Sequence, residues 1–123
     1  MGDRTQHLVV VVDDDDGMRE GMRRVLEIAG YTAKLFASAE ELLASDVASR
    51  AGCLVIDLRL PGMSGFDLQR VLAAAGAVPP IIFVTAHDLP RVRQRAMASG
   101  SDYLVKPFLS QALVESVARA IVK

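Results

Sequence analysis

Five short runs of β-branched and other apolar residues alternate along this chain with stretches whose apolar residues recur at helical spacing. That order restricts the fold more than any other property. A strand, a crossover helix and a parallel strand connect right-handedly, so the repeat implies a parallel sheet covered by helices on both faces. Residues 7–12 form the first run, too short and too β-branched for a helix. Residues 17–29 follow as a helix with Met18, Met22, Val25, Leu26 and Ala29 on one face, and Gly30 ends it. Thr32–Phe36 alternates like a half-exposed strand, and Ser38 opens a second helix with Glu41 completing a capping box. Cys53–Asp57 is the third strand. Ser64 then caps a third helix whose expected inner face is Leu68, Val71, Leu72 and Ala75. Ile81–Thr85, a helix over 88–99 with Pro90 in its first turn, a strand over 102–106 and a helix over 109–122 complete the series.

The first, third and fourth runs are apolar apart from one end residue each, as strands buried on both faces must be. The second carries Lys34 and the fifth Asp102 and Lys106, which assigns them to the edges. This agrees with the 2-1-3-4-5 order of flavodoxin-like sheets. The expected fold is therefore α/β, a flavodoxin-like (βα)5 domain spanning residues 1–123.

Composition supports one ordinary domain: 123 residues, 51% hydrophobic and 24% charged, suffice for a core without covalent staples. Fourteen Lys and Arg against 15 Asp and Glu give a net charge of -1. Direct nucleic-acid binding, which needs a strongly basic face, is not expected. One cysteine, Cys53, excludes an internal disulfide and a cysteine-rich zinc site, and reads as a small buried hydrophobe. No apolar run approaches the ~20 residues of a membrane helix, and no secretory leader begins the chain. A cytoplasmic protein without a membrane partner is expected.

In open parallel sheets, sites form outside the carboxyl ends of the strands. Those ends carry Asp13 to Asp16 after strand one, Asp57 at strand three, Thr85 at strand four and Lys106 at strand five. Three carboxylates, a hydroxyl and an ammonium therefore converge. The crowded negative charge calls for a hard dication, and oxygen ligands with room for water suit Mg²⁺. A carboxylate that can attack, beside cations that neutralise equatorial oxygens, makes a phosphoryl-transfer site. Asp15 and Asp16 read as cap and first-turn charge of the first helix. The run is no calcium loop: a central glycine at Gly17 would put Val12 first and Arg23 last.

Val12-Asp13-Asp14, Asp57-Leu58-Arg59-Leu60-Pro61-Gly62-Met63-Ser64-Gly65, Val84-Thr85-Ala86 and Lys106-Pro107-Phe108 resemble the receiver domain of bacterial two-component response regulators. The resemblance covers essentially the whole chain. Arg59 two residues after Asp57 and His87 two after Thr85 are most similar to receivers of nitrogen-fixation and nodulation regulators. It implies that Asp57 accepts a phosphoryl group from a sensor histidine kinase. It makes Asp14 a direct Mg²⁺ ligand and Asp13 one acting through water, with Asp57 and the Arg59 carbonyl completing the protein's ligands. Thr85 would bond the phosphoryl group and Lys106 would pair with it. Tyr103 would be the switch aromatic that turns inward when Thr85 moves, and Ala86 the small residue leaving space. His87 and Arg59 would modulate dephosphorylation, and Pro107 would follow a cis bond that aims Lys106 inward. The surface of the fourth helix, fifth strand and fifth helix would then signal to an output domain, a partner protein or a second copy in a phosphorylation-dependent homodimer. The segment Gly100-Ser101-Asp102-Tyr103 is one residue shorter than that family's usual connection.

Two other classes remain open to the sequence. One is a receiver-like interaction module indifferent to phosphorylation. The other is a haloacid-dehalogenase-type phosphatase using Asp13 as nucleophile; Gly17 and the lack of room for a cap domain speak against it. No multiple-turnover enzyme is expected. Arg91, Arg93 and Arg95, two apart on a helix, read as a scattered solvated set; in a dimer face, Asp102 would be their partner. His7 is assigned no role.

Overall fold

A computed structural model describes residues 7–77 and 79–122. The expected start without a leader, and Lys123, lie outside them. Five parallel strands, β1 (Leu8–Val12), β2 (Thr32–Phe36), β3 (Cys53–Asp57), β4 (Ile81–Thr85) and β5 (Asp102–Val105), form one sheet in the order β2-β1-β3-β4-β5. This is the flavodoxin-like arrangement, with the two strands bearing charged residues at the edges. The connecting helices are α1 (Asp16–Ile28), α2 (Ala39–Leu43), α3 (Gly65–Ala74), α4 (Pro90–Ala98) and α5 (Ser110–Val122).

Alternate side chains along each strand enter separate cores on the two faces of the sheet. Val9, Val11, Cys53, Val55, Ile82 and Val84 pack with Met22 and Leu26 of α1 and Leu113 and Val117 of α5. Val10, Val12, Leu54, Ile56 and Phe83 pack with Leu42 of α2, Leu68 and Leu72 of α3 and Ala96 of α4. Every residue of β3 and β4 is buried, which accounts for their continuous apolar sequence.

Several local expectations are corrected. The first strand starts at Leu8, leaving His7 outside it, and β5 stops at Val105, so that Lys106 is the residue just past the strand. Val71 is 41% exposed and Ala75 is an exposed cap; Phe66 joins Leu68 and Leu72 inside instead, because it enters the core at the first turn of α3. Ala29 is likewise an exposed C-cap rather than a core residue of α1. Ser38 caps α2 by accepting from the Glu41 N–H, but the Glu41 carboxylate accepts from Ala37, one residue before the cap, so the box is not reciprocal. The complete capping box is at Ser64 and Asp67, opening α3. A 3-10 turn at Val47–Arg50, unforeseen, buries Val47 and Ala48. α4 starts at Pro90 rather than Asp88, since proline fits the first helical position where no N–H is needed.

Candidate functional site

Each expected site residue except Tyr103, which lies within β5, sits at the carboxyl end of a strand or in the loop after it. Asp13 follows β1, and its N–H donates to the Phe36 carbonyl at 3.1 Å, continuing the β1–β2 ladder by one residue. Asp57 ends β3, and Thr85 ends β4. The Lys106 N–H donates to the Thr85 carbonyl at 2.8 Å, which carries the chain past β5 in register and sends the lysine side chain over the sheet end. The Lys106–Pro107 bond is cis.

The Lys106 ammonium bridges two buried carboxylates, with Nζ 3.0 Å from Asp13 Oδ2 and 3.0 Å from Asp57 Oδ2. The remaining oxygens are held by backbone donors: Asp13 Oδ1 accepts from the Asp15 N–H and Asp57 Oδ1 from the Arg59 N–H, both at 2.9 Å. These bonds fix both carboxylates before any ligand arrives. Arg19, one turn into α1, donates to the Asp13 carbonyl at 2.7 Å and secures the loop from behind. Burial pushes the Asp13 carboxyl up, against the pull of the Asp15 N–H and Lys106. Burial works against the Lys106 charge, but hydrogen bonds to Asp13 and Asp57 outweigh it and raise its pKa. The ammonium therefore stays charged at neutral pH.

Carboxylate oxygens of Asp13, Asp14 and Asp57 lie within 4.8 Å of one another. Asp13 and Asp57 are buried while Asp14 is exposed, so the cluster combines fixed hard-oxygen donors with access for water. Such a donor set fits a small divalent cation that retains part of its hydration shell. Asp15, by contrast, caps α1, accepting from the Met18 N–H at 2.9 Å, and Asp16 lies in its first turn.

Thr85 is buried, and its hydroxyl is engaged with the backbone of His87, as acceptor from the N–H at 3.0 Å and as donor to the carbonyl at 3.3 Å. Ala86 and His87 are exposed. Arg59, Thr85 and His87 border a pocket of about 260 Å³ whose apolar wall includes Phe66, Leu89 and Val92.

Tyr103 lies inside, 8% exposed, with Thr85 in its loop-bonded position. Its hydroxyl has no hydrogen-bond partner, and burial followed by the charge of Asp88 raises its pKa. The arginines of α4 are all exposed, as expected of a solvated set, but two of them lie over aromatic rings. The Arg93 guanidinium lies 4.8 Å from the Tyr103 ring centroid, and that of Arg95 lies 4.2 Å from the Phe66 centroid. Asp102, their expected partner only in a dimer face, is engaged within the chain by α5: its carboxylate accepts from the Ser116 hydroxyl at 2.5 Å and from Arg119 at 2.8 Å. Sequence spacing could not find these contacts, because each joins two different elements and depends on how they pack. Cys53 is buried among apolar residues, and burial pushes its thiol up to about 12, which leaves it unreactive.

Asp13 and Asp57 are held alike, each buried with one oxygen on Lys106 and the other on a backbone N–H. No helix among the described residues is long and apolar enough to cross a membrane.

Comparison with known proteins agrees with this geometry. The response regulator receiver domain family matches residues 9–118. Nodulation protein W of Bradyrhizobium diazoefficiens is 42% identical over 118 residues, covering 94% of this chain and 52% of that protein. The C4-dicarboxylate transport transcriptional regulatory protein DctD of Rhizobium meliloti is 42% identical over 113 residues, covering 91% of this chain and 25% of that one. The solved structure of FixJ-N superposes with a TM-score of 0.85 at 35% identity, covering 95% of this chain and 94% of that chain. The chain thus spans between a quarter and about half of these curated relatives, and the expected likeness to nodulation and nitrogen-fixation regulators holds. With a family match over nearly its whole length, this chain belongs to the response regulator receiver domains, the signalling switches of two-component systems.

Proposed function

We propose that Asp57 is the phosphoacceptor of an Mg²⁺-dependent switch charged by a sensor histidine kinase. The observation that supports this most is the single ammonium of Lys106 shared between Asp57 and Asp13, with Asp14 completing the cluster. An Asp57 carboxylate oxygen forms the new O–P bond as the N–P bond of the donor phosphohistidine breaks. The electron pair leaves with the imidazole, which takes up a proton from water. Lys106 is already within reach of the Asp57 oxygens and exchanges its contact with Asp57 for one with a phosphoryl oxygen. Thr85 reaches the phosphoryl group by giving up its bonds to His87.

Asp13, Asp14, Asp57 and the Arg59 carbonyl would hold Mg²⁺, which when bound neutralises crowded carboxylates and draws charge from the phosphoryl oxygens. Its binding is not needed to place Asp57, whose Oδ1 is already fixed by the Arg59 N–H. The signal passes through Tyr103 and the face of α4, β5 and α5 to an output domain, a partner protein or a second copy of the receiver. A cytoplasmic location and the absence of direct nucleic-acid contact follow from the same reading and from the net charge of -1.

Intact-mass analysis after incubation with a small acyl phosphate or phosphoramidate tests the proposal. One phosphoryl adduct that requires Mg²⁺, is labile to base and is missing from Asp57→Asn is the expected result. An adduct that persists in Asp57→Asn, or none under any condition, overturns it.

A further inference from the structure

Thr85 is tied to the loop after it by a single oxygen, whose two contacts are both with the backbone of His87. The next residue, Asp88, is gripped at both carboxylate oxygens by Arg93, one turn into α4: Nη2 to Oδ2 at 2.8 Å and Nε to Oδ1 at 3.3 Å. The same guanidinium covers the ring of Tyr103 at 4.8 Å, where the negative face of the ring attracts a cation. The buried hydroxyl of that tyrosine makes no hydrogen bond, but the Asp88 carboxylate bears on it electrostatically. Its orientation therefore rests on packing, on Asp88 and on the guanidinium above it. Thr85, His87, Asp88, Arg93 and Tyr103 make one unbroken series of contacts from the phosphoryl site to the edge strand.

We propose that Arg93 is a positioning residue that couples Thr85 to Tyr103, reading the place of Asp88 with its charge and setting the ring with its flat face. The proposal rests on the reading of Asp57 as phosphoacceptor. When a phosphoryl group at Asp57 draws the Thr85 hydroxyl, the His87 turn loses its anchor and Asp88 shifts. Arg93 follows its carboxylate, and the cover over Tyr103 changes. The pocket beside His87, Leu89 and Val92 gives the loop room to move without displacing core side chains. The exposed Arg93–Asp88 pair adds little to stability, so removing it tests coupling rather than folding. Arg95 is an internal control. It lies over Phe66 on the same helix, and no hydrogen bond or ion pair ties it to the Thr85 loop.

The chain has two tyrosines and no tryptophan, so Tyr31→Phe leaves Tyr103 as its only tyrosine emitter. In that background the protein is loaded with beryllium trifluoride and Mg²⁺ as the phosphoryl mimic, and fluorine NMR measures occupancy at Asp57. Iodide quenching of Tyr103 reports the ring. The reference chain should change its quenching on loading. Arg93→Ala and Asp88→Asn should each shrink that change by about threefold or more at equal occupancy, with no further loss in the double variant. Arg95→Ala should keep it. A full response in Arg93→Ala, an equal loss in Arg95→Ala, or a silent Tyr103 at full occupancy overturns the relay alone. A reference chain that loads no better than its Asp57→Asn counterpart overturns the phosphoacceptor reading and the relay with it.

Discussion

Lys106 and Asp57 meet at 3.0 Å, and the same ammonium stands 3.0 Å from Asp13. One positive charge is thus shared by two buried carboxylates, which it offsets only in part. A dication held by Asp13 and Asp57 would act on the same oxygens as the lysine, so the two would compete for them in the unphosphorylated protein. Lys106→Ala should leave Mg²⁺ affinity unchanged or tighter, while the phosphorylation-dependent response falls about 10- to 100-fold, the worth of one hydrogen bond to a charged group. Titration calorimetry with Mg²⁺, beside partner affinity before and after phosphorylation, checks both halves. Weaker Mg²⁺ binding in the variant would contradict the competition.

Asp13 works against the fold that holds it. Burial raises its pKa, and an acid with a raised folded-state pKa favours the folded state only below its unfolded value, near 3.8. As pH rises through the folded value, ionised Asp13 destabilises the protein. Without divalent cations, Asp13→Asn should therefore be more stable than the parent at about pH 7, and the advantage should vanish at about pH 3.5. Urea midpoints at the two pH values decide it, and a variant less stable at neutral pH would refute the sign.

Gly65 opens α3 against the end of the strand that carries Asp57. A Cβ there would stand 3.0 Å from the Asp57 carbonyl oxygen and 3.1 Å from the Leu58 Cα, both rigid backbone atoms. Gly65→Ala should cost about 1–3 kcal/mol by overpacking. It should also slow phosphorylation by shifting Asp57. Urea unfolding and the rate of adduct formation are the measurements, and unchanged values in both would mean that α3 moves aside freely.

Asp102 shows the opposite sign. Partial burial would raise its pKa, but the Ser116 hydroxyl, Arg119 and the Tyr103 N–H together lower it. Its contribution is present above the unfolded value near 3.8 and is lost as pH falls through the folded one. Asp102→Asn should lose about 1 kcal/mol at neutral pH, the net worth of an ordinary hydrogen bond, and the gap should close in acid. Thermal unfolding of both proteins across that range provides the check; a gap that widens in acid would exclude this account.

The bounds of β3 and β4 were legible because burial on both faces leaves a continuous apolar run, and those of the edge strand β2 because half-exposure leaves an alternating one. The five strand-end residues were legible for a related reason: a parallel sheet brings its carboxyl ends together whatever the loops do. What the sequence hid lies between elements. Val71 has the helical spacing of a core residue, yet α3 turns Phe66 inward and leaves Val71 in solvent. Arg93 and Arg95 look alike as a charge pattern. Their different partners, Asp88 with Tyr103 and Phe66, depend on how α4 sits against the sheet. The inward place of Tyr103 is equally tertiary, since a tyrosine on an edge strand fits solvent or core with the same local sequence.

α4 inserts only one fully buried side chain, Ala96, into the body of the protein. Val92 packs part-buried against the core, and Arg93 and Arg95 lie over Tyr103 and Phe66. The remaining, exposed positions can be rewritten to suit a new listener while the sheet, the acidic cluster and the chemistry at Asp57 stay as they are. A fold that separates the part that must be kept from the part that can vary is a fold from which many distinct signalling wires can descend.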